Sequence, residues 1–238
     1  MFPIGDDNSD RTITPVVNYA FIGINILVFL LLQQLGSNEA FDGAFALVPK
    51  EITTGVDLSG VQVLRDSAGH IAQIRLYDSP LPVYFNFLSS MFMHGGIAHI
   101  FGNMLFLWIF GDNLENALGH IRYGIFYLLC GFAAAAAQII MGPDSIIPML
   151  GASGAISGVL GGYILLFPQR QVRAILFNFL TTVPAYVAIG IWIVYQLVLG
   201  YMTPEGSGGV AYAAHIGGFI AGLALVKVFA LGRNVQRA

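Results

Sequence analysis

Two residues that lie far apart in the sequence, Ser153 and His215, have the types and surroundings that suit chemistry. Both lie in apolar runs among glycines, which allow two helices to approach closely. Acyl transfer needs a nucleophile, a base within hydrogen-bond reach of it, and donors where negative charge develops on the carbonyl oxygen. Ser153 can serve as the nucleophile, and His215 can serve as the base when its imidazole is neutral.

Candidate donors lie in a separate apolar run, at His99 and Asn103. The two residues are four positions apart, so they share one face of a helix. Ser153 itself is expected near the N-terminus of its helix, where backbone N–H groups lack partners and can stabilise an oxyanion. Each feature also has a structural explanation: His and Asn can join membrane helices, and a serine can bond back to its own helix.

No acid is well placed to form a triad with these residues. Beyond Asn116 the only carboxylates are Asp144 and Glu205, both in predicted loops. We therefore expect a Ser-His dyad.

The composition predicts an all-α polytopic membrane protein. Hydrophobic residues make up 56% of the chain and charged residues 10%, whereas a soluble domain is about 25% charged. The net charge is only −3, with scattered basic residues, so nothing suggests nucleic acid as a partner. Six apolar segments are long enough, or nearly so, to cross a bilayer: residues 16–35, 97–114, 121–141, 152–167, 183–202 and 211–231.

The distribution of Lys and Arg predicts the orientation. With the N-terminus in the cytoplasm, seven basic residues lie inside and three outside, as the positive-inside rule favours. The inner set is Arg11, Arg122, Arg170, Arg173, Lys227, Arg233 and Arg237, and the outer set is Lys50, Arg65 and Arg75. We expect a multi-pass protein of a bacterial cytoplasmic membrane, with residues 1–15 and 232–238 cytoplasmic and a six-helix membrane domain at 16–231.

The outer loop between the first two segments, residues 36–96, is the one long extramembrane stretch. Alternating apolar residues at 61–77 predict a β-hairpin. Residues 84–93 are apolar but too few to span, which favours an interfacial or re-entrant placement.

Three motifs, taken together and in this order, resemble the rhomboid family of intramembrane serine proteases. They are His94-x4-His99-x3-Asn103, Gly151-Ala-Ser153-Gly154 and Ala214-His215-x2-Gly218. The resemblance implies a six-helix rhomboid-like bundle that cleaves transmembrane segments of other proteins near the outer membrane face, without metal or cofactor.

The resemblance also implies roles for single residues. Ser153 would be the nucleophile and His215 the general base, with His99, Asn103 and the Ser153 backbone N–H as the oxyanion hole. His94, Gly151, Gly154 and Gly218 would support the site. Glu115 with Gly119 resembles a structural carboxylate of the family.

Two departures from the family pattern affect the support of the site. Phe85 and Asn86 stand where many relatives carry Trp-Arg, and Ser157 stands where the family often places an aromatic ring against the base. Two other functions are open at this point: a non-proteolytic rhomboid-like protein that binds membrane clients, and a metal site or transporter built on His94, His99 and His215.

Substrates are expected to be transmembrane proteins in the lipid bilayer. A peptide bond must leave its own helix to enter such a site, which favours helix-breaking Gly or Pro in the substrate and a small residue at the cut. We expect access between the second and fifth segments, because residues 183–202 are rich in large apolar side chains and poor in polar ones.

Overall fold

The computed structural model describes residues 2–65, 71–177, 179–203 and 210–233. The described part is mostly helical. Its helices are α1 (Val16–Leu27, continued by a π-helical turn at Val28–Leu32), α2 (Glu39–Phe45), α3 (Pro49–Thr54), α4 (Asn86–Ser89), α5 (Ile97–Leu118), α6 (His120–Met141), α7 (Ser153–Leu166), α8 (Ala185–Met202) and α9 (Tyr212–Phe229). The strands are β1 (Phe2–Asp6), β2 (Gly60–Arg65), β3 (Ile71–Leu76), β4 (Gln171–Leu176) and β5 (Phe179–Pro184).

The helices confirm the predicted polytopic helical bundle. Four of them, α5, α6, α8 and α9, are long and apolar enough to cross a membrane, while Val16–Leu32 and Ser153–Leu166 are shorter apolar helices. The number of six crossings stays a prediction.

Helix α7 lies at the centre of the bundle. Every residue from 154 to 163 is buried, and α5, α6 and α9 all pack against this helix. The glycines of α7 make this possible, because a helix with little side-chain volume can be surrounded at short range. The centre of the bundle can therefore hold a short helix that begins at Ser153.

A three-stranded antiparallel sheet, ordered β1-β4-β5, lies at the C-terminal end of α7. No sequence pattern predicted this sheet. A buried polar cluster joins it to the helices: Asp6 accepts from Tyr163 (2.5 Å) and Asn113 (2.8 Å), and Arg170 donates to Asn113 (2.6 Å) and Asp10 (2.8 Å). This end of the bundle is held by polar contacts between residues that lie far apart in the sequence.

The opposite end, which we call the Ser153 end, carries the long loop between α1 and α5. Strands β2 and β3 form the hairpin of this loop, and its turn at 66–70 lies outside the described residues, as do 234–238 of the predicted tail. Leu47 and Met149 exchange two backbone hydrogen bonds (3.0 and 2.8 Å). The loop is thus fastened to the segment that leads into Ser153.

Candidate active site

Ser153 is the first residue of α7, directly after a sharp backbone turn. Gly151 in that turn has φ +133°, and a Cβ there would lie 2.9 Å from two ring atoms of His99. Only glycine suits both conditions. The Gly151 N–H donates to the Ser90 carbonyl (2.8 Å). The Ser153 N–H belongs to the first turn of α7, whose N–H groups have no partner within the helix.

The structure brings Ser153 and His215 into direct contact. The distance from His215 Nε2 to Ser153 Oγ is 2.8 Å, although the residues lie on different helices. This is the hydrogen bond that a serine and its general base must form.

Glycine packing between α7 and α9 permits this contact. A Cβ at Gly218 would lie 2.1 Å from the Gly154 carbonyl oxygen, and a Cβ at Gly222 would lie 2.0 Å from that of Gly158. Both distances are far below those of real Cβ contacts. The two backbones therefore approach as closely as glycine allows.

His99 and Asn103 lie on α5 and face the same cavity as Ser153 and His215, a cavity of about 900 Å³. The Gly95 N–H donates to His99 Nδ1 (3.3 Å), so in the neutral ring the proton is on Nε2 and can be donated. The Asn103 side chain is buried, and its Nδ2 has no hydrogen-bond partner among the described residues. Both donor-bearing residues thus line the cavity that Ser153 and His215 also line.

His94 is fully buried just before α5, with its ring edge-on to His99 at 5.1 Å between centroids. Its backbone is held on both sides by one side chain: Gln33 Oε1 accepts from the His94 N–H (2.8 Å) and Gln33 Nε2 donates to the His94 carbonyl (2.9 Å). Gln33 also donates to Asp42 (2.8 Å). Sequence reasoning missed Gln33, although a glutamine at the end of an apolar run was a visible signal.

Two residues of α8, and not the residue at position 157, support the His215 imidazole. Ser157 donates to the Ser153 carbonyl (2.6 Å) and so bonds within its own helix. On the other side of the imidazole, Gln196 Oε1 lies 2.8 Å from His215 Nδ1, and the Trp192 ring lies 6.0 Å from the imidazole, centroid to centroid. Both residues belong to α8, a helix whose sequence is poor in polar side chains.

The loop position without the Trp-Arg pair is held by the asparagine that stands there. Asn86 is buried, and its Nδ2 donates to the Ala46 carbonyl (3.1 Å) and to Ser79 Oγ (3.2 Å). Its neighbour Phe85 is exposed. A neutral amide thus anchors this part of the loop.

The metal-site alternative finds no ligand set in the part of the chain that the structure describes. There, no three His, Cys, Asp or Glu side chains are grouped in a way that could hold a metal ion. The histidines instead take part in the contacts given above.

The bundle, with a serine and a histidine in contact at a cavity among apolar helices, defines an integral membrane protein with a hydrolase-like site. The family model described as the Rhomboid domain matches residues 82–231. The chain belongs to the rhomboid family.

Curated relatives agree with this assignment. Rhomboid protease GluP of Bacillus subtilis is 29% identical over 230 residues, which are 94% of this chain and 38% of that protein. Rhomboid-related protein 2 of Mus musculus is 28% identical over 148 residues (58% of this chain, 46% of that protein), and RHOMBOID-like protein 4 of Arabidopsis thaliana is 34% identical over 139 residues (58% and 32%). The chain thus spans less than half the length of these relatives.

Proposed function

We propose that this chain is an intramembrane serine endopeptidase that uses Ser153 and His215 as a dyad. The observation that carries the proposal is the 2.8 Å contact between Ser153 Oγ and His215 Nε2 inside a membrane bundle. Membership of the rhomboid family, one of whose relatives is named as a protease, supports proteolysis within the membrane. Metal and cofactor have no part in this chemistry.

The proposed reaction begins when Ser153 Oγ attacks the carbonyl carbon of a peptide bond and passes its proton to His215 Nε2. The oxyanion that forms accepts hydrogen bonds from Asn103 Nδ2, His99 Nε2 and the Ser153 N–H. His215 then gives its proton to the leaving amine, and the acyl group stays on Ser153. Water, deprotonated by His215, hydrolyses this ester and restores the serine.

The proposed substrates are transmembrane proteins that enter from the bilayer between α5 and α8. An apolar cavity of about 220 Å³ lies there, with Phe106 and Phe110 from α5 and Ile189, Trp192 and Tyr195 from α8 in its lining. The Ser153 end is proposed to face the outside, with both termini in the cytoplasm. Cleavage would then occur near the outer membrane face, at a point where the substrate helix is interrupted.

The test is covalent labelling of the purified protein with a fluorophosphonate, followed by peptide mass spectrometry. Labelling is expected at Ser153, absent in Ser153→Ala and reduced in His215→Ala. Ser157→Ala is the matched control, because its hydroxyl bonds to the Ser153 carbonyl and should not be the nucleophile.

A cleavage assay in proteoliposomes completes the test. Its substrates are a transmembrane segment that carries Gly-Pro and a matched uninterrupted Leu-rich segment, and only the first should be cut rapidly. Lack of labelling in the wild type, or cleavage that persists in Ser153→Ala, would overturn the proposal and favour a client-binding role.

A further inference from the structure

We infer that Gln196 is the positioning residue of the base: it holds the imidazole of His215 in the tautomer that accepts the serine proton. This inference rests on the proposed function. It concerns a residue on α8, outside the three motifs that define the site.

The geometry around His215 determines which ring nitrogen carries the proton. A neutral imidazole has one N–H, and Nε2 must be free of it to accept the proton of Ser153. The proton then lies on Nδ1, 2.8 Å from Gln196 Oε1, which is a pure acceptor. The amide oxygen therefore stabilises the productive tautomer and favours it over the other.

Gln196 acts from behind the imidazole and away from the substrate. His215 and Ser153 line the 900 Å³ cavity, and Gln196 is not among its lining residues. The side chain is 6% exposed, on a helix whose four buried residues include no other polar side chain. A buried amide in an apolar helix requires a partner, and in the described part of the chain its oxygen has His215 Nδ1.

Trp192 lies one turn before Gln196 on the same face of α8 and packs beside the imidazole, with its ring tilted by 39°. Trp192 also lines the cavity, so the imidazole is contacted by Trp192 beside the cavity and by Gln196 at Nδ1. The orientation of His215 thus depends on α8 lying against α9.

The experiment compares Gln196→Met, Gln196→Glu and the control Val198→Leu, an exposed position on the same helix. Methionine keeps the length of the side chain and removes the acceptor. We expect kcat of a soluble peptide substrate to fall roughly tenfold in Gln196→Met, the worth of about one hydrogen bond, with KM unchanged. Val198→Leu should match the wild type.

Gln196→Glu separates a positioning role from a structural one. Its carboxylate still accepts from Nδ1 and also stabilises the imidazolium, so activity is retained while the acidic limb of the kcat/KM profile moves to higher pH. Among the described residues, the other titratable groups that face His215 are His99 on α5 and Tyr212 on α9, and both stay unchanged.

The outcomes distinguish this inference from the proposed function. A wild type that neither cleaves peptide nor labels at Ser153 would overturn the proposed function itself. An active wild type with unchanged kcat in Gln196→Met, or an unmoved pH profile in Gln196→Glu, would overturn the role of Gln196 alone.

Discussion

Asn103 carries a buried side-chain donor that is free for the oxyanion of the proposed reaction. Its amide is buried, yet Nδ2 has no hydrogen-bond partner among the described residues, which costs free energy in the resting protein. Under the proposed function this cost would become useful when an oxyanion forms beside the amide, because the donor is already desolvated. Such an amide stabilises the transition state more than the bound substrate.

Replacement of Asn103 by alanine should therefore lower kcat by roughly 10²–10³-fold and leave KM nearly unchanged, as expected for the loss of one oxyanion donor. Steady-state kinetics with a soluble peptide would measure both constants. Phe101→Leu, at an exposed position on the same helix, is the control. If Asn103→Ala raised KM and left kcat intact, the side chain would bind substrate instead.

The residues of the site differ in how well the sequence revealed them. Ser153, His215, His99 and Asn103 were visible as polar residues in apolar runs, with glycines around them. Gln196 met the same criterion, but the sequence of its segment, 183–202, indicated only that polar side chains are few there. Which polar residues meet depends on helix rotation, and hydropathy does not report rotation.

At the scale of elements, the contact between α7 and α9 controls the distance between Ser153 and His215. Four glycines bring the backbones together, so no side chain can be added there without moving a helix. Positions on α8 are different, since a Cβ at Gly190 would meet nothing within 4 Å. This contrast supplies a matched pair of substitutions.

Gly222→Ala should destabilise the protein by about 1–3 kcal/mol, as overpacking of a close contact does, and should reduce fluorophosphonate labelling of Ser153. Gly190→Ala should leave both unchanged. Thermal unfolding in detergent, with labelling followed in parallel, would compare the two. Equal melting temperatures for the two variants would contradict the importance of the close contact.

The helices and the sheet differ in how far the sequence predicts them. Long apolar runs identify membrane helices directly, and α5 to α9 lie within a few residues of the predicted segments. Strands β1, β4 and β5 have only five or six residues each, and the register pairs Phe2 with Ile175. Sequence patterns report local periodicity, so a sheet made of such distant and short parts leaves little signal.

For the molecule as a whole, the two ends carry buried carboxyl groups in different settings. Asp6 is buried in the sheet end, where Tyr163 and Asn113 donate to it and Asp112 and Arg170 lie near, and burial raises its pKa to about 7. Glu51 lies in the loop at the Ser153 end, and burial also raises its pKa to about 7. Each group binds its proton more tightly in the folded protein than in the unfolded chain.

The sign of the pH dependence follows from this difference. The stabilisation from these two groups is fully present below about pH 4 and is lost as the pH rises to about 7. The melting temperature of the wild type should fall as the pH rises. Asp6→Asn should remove one part of this dependence and Glu51→Gln the other, so the double variant should depend least on pH. Melting temperatures measured from pH 4 to pH 8 would test this. A slope in the double variant as steep as in the wild type would contradict it.

The pairing of β1 with β4 has a consequence for the order in which this protein assembles. Strand β1 is synthesised before all of the helices, yet its partner β4 follows α7 in the chain. Contacts between such distant segments form late, because closing a long loop costs entropy before the contacts can offset it. We therefore expect Asp6 to stay exposed to water during synthesis until β4 has been made. Strand β1 is made first but is one of the last elements to pair. Its pairing with β4 requires that the chain up to β4 has already been made.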